Sequence, residues 1–281
     1  LDEAMAKAIY KPRPAYVHKG DCGKLLLVAG SYGKMGAAVL AAKAALRGGA
    51  GLVTCYIPRC GYLVLQTAVP EAMVITDEGD FCCTGLVLPA GMMEKLDAVG
   101  AGPGLGTDER NIAMLEQLVR SCNKPMVLDA DALNAIALRK ELLALIPPGS
   151  ILTPHPVEFD RLFGTVPDEF ARAERAKEKA RQHNCIILLK GHHSLVATPG
   201  GLACFNTTGN AGMATGGSGD VLTGLLTALL GAGYPPEQAA LLGMFLHGRA
   251  GDLAAADLSQ EAMVAGDITE YLGKAFLSLH T

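Results

Sequence analysis

Asn206-Thr-Thr-Gly-Asn-Ala-Gly-Met-Ala-Thr-Gly-Gly-Ser-Gly-Asp220 crowds five glycines, four hydroxyl side chains and one acid into fifteen residues. Apolar residues follow at once: Val221, Leu222, Leu225, Leu226, Leu229 and Leu230. That i, i+3/i+4 recurrence marks one face of a buried helix. Gly216-Gly217-Ser218-Gly219 therefore falls at a helix start, where backbone N–H groups lack intrahelical acceptors. Such a start attracts anions, and glycines let phosphate oxygens approach the amides closely. Asp220 lies in or beside this anion hole. A carboxylate there can cap the helix and complement its dipole. Beside a phosphate that it repels, it reads better as a base.

Outward from this run, short apolar stretches alternate with helical ones. Residues 24–29 read as a strand entering the turn at Gly30, followed by an Ala-rich helix over 37–47 and a second strand over 52–57. Further strands are expected at 86–88, 98–101, 125–128, 151–153, 186–190 and 194–197, and further helices at 111–121, 170–183, 221–232 and 238–256. Apolar strands without polar alternation, separated by helices, point to a mainly parallel sheet covered on both faces. The expectation is one three-layer α/β/α domain over residues 19–281. Residues 1–18, rich in Lys, Pro and Tyr, read as a linker-like N-terminal arm. Leu1 is not an initiator Met, so the chain reads as a fragment, a processed form or a trimmed one.

Bulk properties narrow the function classes. No apolar stretch reaches the ~20 residues that a membrane-spanning helix needs, and residues 1–7 carry no apolar signal region. Net charge is −4 and no basic stripe occurs, which argues against nucleic-acid binding. Eight cysteines include no C-x-x-C pair, and several lie inside apolar runs, such as Cys55 and Cys185. They read as reduced core thiols of a cytoplasmic protein.

Two glycine motifs fail on inspection. Gly30 to Gly36 suggests a P-loop, but Lys34 precedes Met35, where Ser or Thr belongs. Gly100-Ala-Gly-Pro-Gly-Leu-Gly106 imitates a dinucleotide fingerprint, yet Leu105 takes the third-glycine place and Pro103 intrudes. A hydride-transfer enzyme of the Rossmann type is disfavoured. Three polar clusters remain at expected strand ends: Asp129-Ala-Asp-Ala-Leu-Asn134, Thr153-Pro-His-Pro-Val-Glu158 and Lys190-Gly-His-His-Ser194. Asp129 and Asp131 can hold Mg²⁺ through water, or Asp131 can cap the helix that follows. His155, between two prolines, can meet a ligand or stabilise its turn. His192 and His193 are expected to diverge as strand neighbours, which disfavours a shared metal. His247, in a helical stretch, reads as a packed polar residue.

As a set, these clusters resemble the ADP/ATP-dependent NAD(P)H-hydrate dehydratases, a branch of the ribokinase-like superfamily. The resemblance runs in order through His18-Lys-Gly-Asp-Cys-Gly-Lys24, Gly36-Ala-Ala-Val-Leu-Ala-Ala42, residues 100–106, 128–134, 152–159, 189–191 and 206–220, nearly the whole chain. Two departures are mild. Gly-Ser-Gly-Asp replaces the commoner Gly-Thr-Gly-Asp, and Val157 stands where Gly is frequent.

The resemblance implies repair of a damaged cofactor. Water adds slowly across a ring double bond of a dihydronicotinamide, and the family phosphorylates the ring hydroxyl of that hydrate, NADHX or NADPHX. Phosphate then leaves as the double bond re-forms, giving AMP from ADP or ADP from ATP. Carried over by motif, Asp220 is the base, and the amides of Gly217, Ser218 and Gly219 hold the transferred group. Ala37, Gly102, Gly104 and His155 line the hydrate site; Lys190, Gly191, His192, His193, Ser194 and Gly219 face the nucleotide, with Mg²⁺ bridging its phosphates. A homotetramer and a fused or separate epimerase are also implied. Two alternatives stay open: a ribokinase-like kinase of a small alcohol, which would release a stable phosphoester, and a silent adenine-nucleotide or dinucleotide sensor.

Overall fold

The computed structural model describes residues 1–280. Nine strands make one sheet: β1 (Lys24–Val28), β2 (Leu52–Ile57), β3 (Met73–Thr76), β4 (Ala98–Ala101), β5 (Met126–Leu128), β6 (Ile151–Leu152), β7 (Ile186–Leu189), β8 (Leu195–Ala197) and β9 (Ala203–Phe205). Their spatial order is β3-β2-β1-β4-β5-β6-β7-β8-β9. Pairing is parallel from β3 to β7, and β8 and β9 turn back antiparallel at one edge.

The helices, in chain order, are α1 (Glu3–Ile9), α2 (Met35–Arg47), α3 (Tyr62–Ala68), α4 (Met92–Lys95), α5 (Glu109–Ser121), α6 (Ala130–Leu138), α7 (Pro156–Phe163), α8 (Glu169–His183), α9 (Ser218–Gly231), α10 (Pro236–Leu258) and α11 (Ala265–Leu277). Successive strand residues face opposite sides of a sheet, so β1 feeds two cores. Leu25 and Leu27 join the apolar cluster under α2, α9, α10 and α11. Leu26 and Val28 join the one under α5, α6, α7 and α8. Burial on both faces is why these strands are apolar throughout. The expected three-layer α/β/α arrangement with a mainly parallel sheet is the one found.

Strand order reverses direction between β1 and β4, which places a ligand crevice at their carboxyl ends. Gly30 and Ser31 leave β1 there, and Gly102 to Gly104 leave β4. The two turns are clamped together: the Gly30 N–H donates to Pro103 O at 2.8 Å, and the Ser31 hydroxyl to Gly104 O at 2.7 Å.

Two expectations are corrected, and two strands are added. Residues 86–88 form no strand. The Leu86 N–H donates to Gln117 Oε1 and the Val87 N–H to the Tyr56 hydroxyl, so side chains take the donors that a ladder would use. The edge strands β3 and β9 were not anticipated, because their partial exposure leaves no unbroken apolar run. Residues 1–18 are not all linker-like: α1 caps on Asp2 and buries Ala6 in the cluster that contains α10.

Candidate active site

The glycine-rich run folds as its sequence demands. Helix α9 begins at Ser218 on an uncapped N-terminus, with Gly217 in the left-handed region at φ 96°. A Cβ at Gly217 would fall on the Leu40 side chain, so a larger residue is disfavoured there on two counts, packing and left-handed strain. The Ser218 N–H makes only a long 3.4 Å contact to Thr215 O. First-turn amides of α9 therefore point outward without side-chain caps, the arrangement that receives phosphate oxygens.

A cleft of about 970 Å³ opens in front of that helix start. Lys190, Gly191, His192, His193 and Ser194 line one wall, and Ser218 and Gly219 another. His155 reaches the same cleft. All the residues expected on the nucleotide side, Gly217 apart, are thus brought together. His192 and His193 occupy a turn, not a strand, and their rings meet edge to face with centroids 4.3 Å apart. The expected divergence is corrected by that turn.

Asp129, at the end of β5, organises the floor. It is buried, and its Oδ1 accepts from Lys190 Nζ at 2.6 Å while its Oδ2 accepts from the Thr223 hydroxyl at 2.9 Å. Thr223 lies one helical turn beyond Asp220 and was missed in the sequence. The pairing Asp220-x-x-Thr223 on one helix face was the only signal available. Ala130 takes a left-handed φ of 47°, an unusual conformation for a residue with a Cβ. Past it, Asp131 turns away to accept from the Gly106 N–H at 2.8 Å and to pair with Lys34 at 3.4 Å. Asp131 therefore braces the turn after β4, and the helix-cap reading of it is corrected.

Asp220 stands between these groups, partly buried. Burial first, then the Asp129 carboxylate and the more distant Asp131, push its carboxyl up to about 6, against the opposing pull of Lys190. Such a group is ionised near neutrality yet basic enough to accept a proton.

Ala37, Gly102 and Gly104 do not line this cleft. Gly104 faces Ala37 so closely that a Cβ there would stand 3.1 Å from the Ala37 Cβ. Gly102, at φ 130°, packs on Asp129 O. Asp129 links the two regions, packing under Gly102 on one side and lying beside Gly219 at the cleft on the other.

His155 stabilises its turn, and its side chain also lines the cleft. Its Nδ1 accepts from the Val157 and Glu158 N–H groups, and Glu158 returns a bond to the His155 N–H at 2.9 Å. This capping box leaves the ring edge facing the cleft, and Val157 is simply exposed beside it. His247 is packed, as expected, but with a task. Its Nε2 lies 2.9 Å from Ser218 O and holds the first turn of α9 in place. Burial pushes its imidazole down to about 4, so the ring is neutral and donates. Sequence reasoning missed that link, because 29 residues separate the partners.

Among the described residues no group of three or more His, Cys, Asp or Glu is placed to hold an ion. Both oxygens of Asp129 are taken by protein partners. This donor set suits Mg²⁺ carried on nucleotide phosphates with retained water, not an ion caged by protein.

Comparison with known proteins shows which family the chain resembles. The profile of a family described as NAD(P)H-hydrate dehydratase matches residues 25–274. The bifunctional NAD(P)H-hydrate repair enzyme Nnr of Moorella thermoacetica is 41% identical over 278 residues, covering 97% of this chain and 52% of the relative. The chain therefore spans about half the length of such bifunctional relatives. The ADP-dependent (S)-NAD(P)H-hydrate dehydratase of Neisseria meningitidis is 37% identical over 267 residues, covering 92% of this chain and 87% of the relative. A crystal structure of the Bacillus subtilis ADP/ATP-dependent NAD(P)H-hydrate dehydratase, co-crystallised with ATP and Mg²⁺, superposes with a TM-score of 0.85 at 31% identity, covering 99% of this chain and 98% of that one.

Proposed function

The chain belongs to the NAD(P)H-hydrate dehydratase family, and from that premise we propose that it dehydrates the S-epimers of NADHX and NADPHX at the expense of ADP or ATP. The observation that carries the reading is Asp220 in the first turn of the uncapped α9, whose Ser218 and Gly219 line the cleft, with its carboxyl raised to about 6 by burial and by Asp129.

The hydrate's nicotinamide ring lies on Ala37, Gly102 and Gly104, where small residues admit a flat ring near the backbone, with His155 at its edge. The adenine nucleotide lies along Lys190 to Ser194, its terminal phosphoryl group at the amides of Gly217, Ser218 and Gly219. Asp220 takes the proton of the ring hydroxyl, and that oxygen attacks the terminal phosphorus, displacing AMP from ADP or ADP from ATP. The ring nitrogen lone pair then expels phosphate from carbon, and loss of the neighbouring C–H proton re-forms the double bond. Outward-pointing amides stabilise the charge on the transferring group without reorganising, the main protein contribution to phosphoryl transfer. Mg²⁺, when bound with the nucleotide, neutralises phosphate charge. Asp129 fixes Lys190 beside Gly219 and keeps Asp220 basic.

The proposal also covers the setting. Residues 19–281 make the dehydratase domain, and residues 1–18 an arm. A fused or separate epimerase, which interconverts the hydrate epimers, is the expected partner, in line with the bifunctional names of relatives. Self-association, with a homotetramer as the expected state, is supported by exposed Tyr62, Leu63 and Val64 on α3 beside the edge strand β3. The cytoplasmic setting is supported by eight free thiols; no helix among the described residues is long and apolar enough to cross a membrane.

The test is direct: mix the purified protein with NADH hydrate, Mg²⁺ and either ADP or ATP, and follow dihydronicotinamide absorbance with free phosphate. Matched recovery of both supports the dehydratase and identifies the donor. A stable phosphoester instead would make the protein a kinase of an alcohol.

A further inference from the structure

Tyr32 and Phe81 are 70% and 64% exposed, and their rings meet edge to face with centroids 5.2 Å apart. Two large aromatic faces left open together invite a planar partner. Their placement is rigid. The Tyr32 N–H donates to Phe81 O at 2.7 Å. The loop of Phe81 hangs on the buried carboxylate of Asp77, which accepts from the Gly79, Thr84 and Gly85 N–H groups and from the Thr84 and Tyr56 hydroxyls. Tyr32 itself follows Gly30 and Ser31, which are bonded to the Pro103–Gly104 turn. The pair is therefore tied to the surface on which the hydrated ring is placed.

Lys34 follows two residues after Tyr32, its N–H donating to Ser31 O at 2.8 Å. Its ammonium is half exposed and, among the described residues, pairs with Asp131 alone, at 3.4 Å. No side chain caps the N-terminus of α2 beside it. Read along the turn, Ala37, Lys34 and Tyr32 run from the small-residue surface through a cation to the aromatic pair. A dinucleotide has the same order: ring, phosphates, base.

We propose that Tyr32 and Phe81 form a stacking platform for the base at the far end of the dinucleotide hydrate, with Lys34 facing the linking phosphates. This rests on the dehydratase reading above. It makes the pair a substrate-selecting element that a small alcohol would not engage.

The test compares two substrates: NADH hydrate, and the hydrate of reduced nicotinamide mononucleotide, which lacks the adenosine half. In the Tyr32→Ala/Phe81→Ala double variant, KM for NADH hydrate should rise about 5- to 100-fold, the range base–aromatic stacking supplies. kcat should hold, and KM for the truncated hydrate should not move. Tyr32→Phe, which keeps the ring, should behave as wild type. An equal rise for both hydrates, or no rise for either, overturns the platform. Wild-type protein that turns over neither hydrate overturns the dehydratase reading on which the platform rests. Both side chains are mostly in solvent, so their loss leaves the core intact.

Discussion

Lys190 Nζ lies 2.6 Å from Asp129 Oδ1, an ion pair between strand ends 61 residues apart. The pair meets under the first turn of α9, where a Cβ at Gly219 would stand 3.2 Å from the same ammonium and 3.3 Å from Asp129 Oδ2. Asp129 raises the pKa of Asp220 and Lys190 lowers it. Asp129→Asn removes the first influence and leaves Lys190 less neutralised, so both changes act in one direction. The acid limb of kcat/KM, expected near pH 6 in the wild type, should move to lower pH. A limb that stays put or moves up would refute the coupling. Asn keeps an acceptor for Lys190, which limits structural damage.

Asp220→Asn removes the base and keeps the shape of the helix start. kcat should fall by about 10²–10⁴-fold, the usual contribution of general base catalysis. Binding of ADP or ATP, read by titration calorimetry, should be nearly unchanged. Retained turnover would remove Asp220 from the proposed role.

Asp220 and His247 should tilt stability in opposite directions with pH. Asp220 has a native pKa of about 6 against an ordinary 3.8, so the folded state binds the extra proton and gains stability as pH falls from 6 to 3.8. His247 has a native pKa of about 4 against 6.5, so the unfolded state binds the proton and stability is lost from pH 6.5 to 4. At ~1.4 kcal/mol per unit, each is worth about 3 kcal/mol. Urea unfolding at pH 7 and pH 4.5 should show Asp220→Asn losing more stability in acid than the wild type, and His247→Gln losing less. Parallel curves for all three proteins would contradict both assignments.

Gly217→Ala should destabilise the protein by about 2–4 kcal/mol, combining left-handed strain with overpacking. Its Cβ would fall on Leu40 and stand 3.0 Å from the Ala265 Cβ. A second change, Leu40→Ala, should recover the packing part and leave the strain. The unfolding midpoints of the single and double variants measure the two parts.

Much of the fold was legible. The helix expected over 221–232 is α9, and the one over 238–256 is α10 with a longer span. In both, apolar residues recur with the helical period and nothing local competes. Residues 86–88 misled because an apolar triplet does not reveal where its N–H groups go; Gln117 and Tyr56 decided that. Within the site, the anion hole could be read because glycines and Asp220 are contiguous. Thr223, Lys34 and His247 could not, since each acts on a partner brought near by folding.

The sequence by itself determined that Ser218 to Asp220 open a buried helix, that most strands are covered on both faces, and that a glycine-rich turn precedes an acid. These follow from periodicity and backbone chemistry over a few residues. Only the tertiary structure decided that Asp129 takes both Lys190 and Thr223, partners 61 and 94 residues away, while Asp131 turns instead to Lys34 and Gly106. The order of strands in a sheet sets which loops meet at its carboxyl edge, and local propensity carries no record of that order.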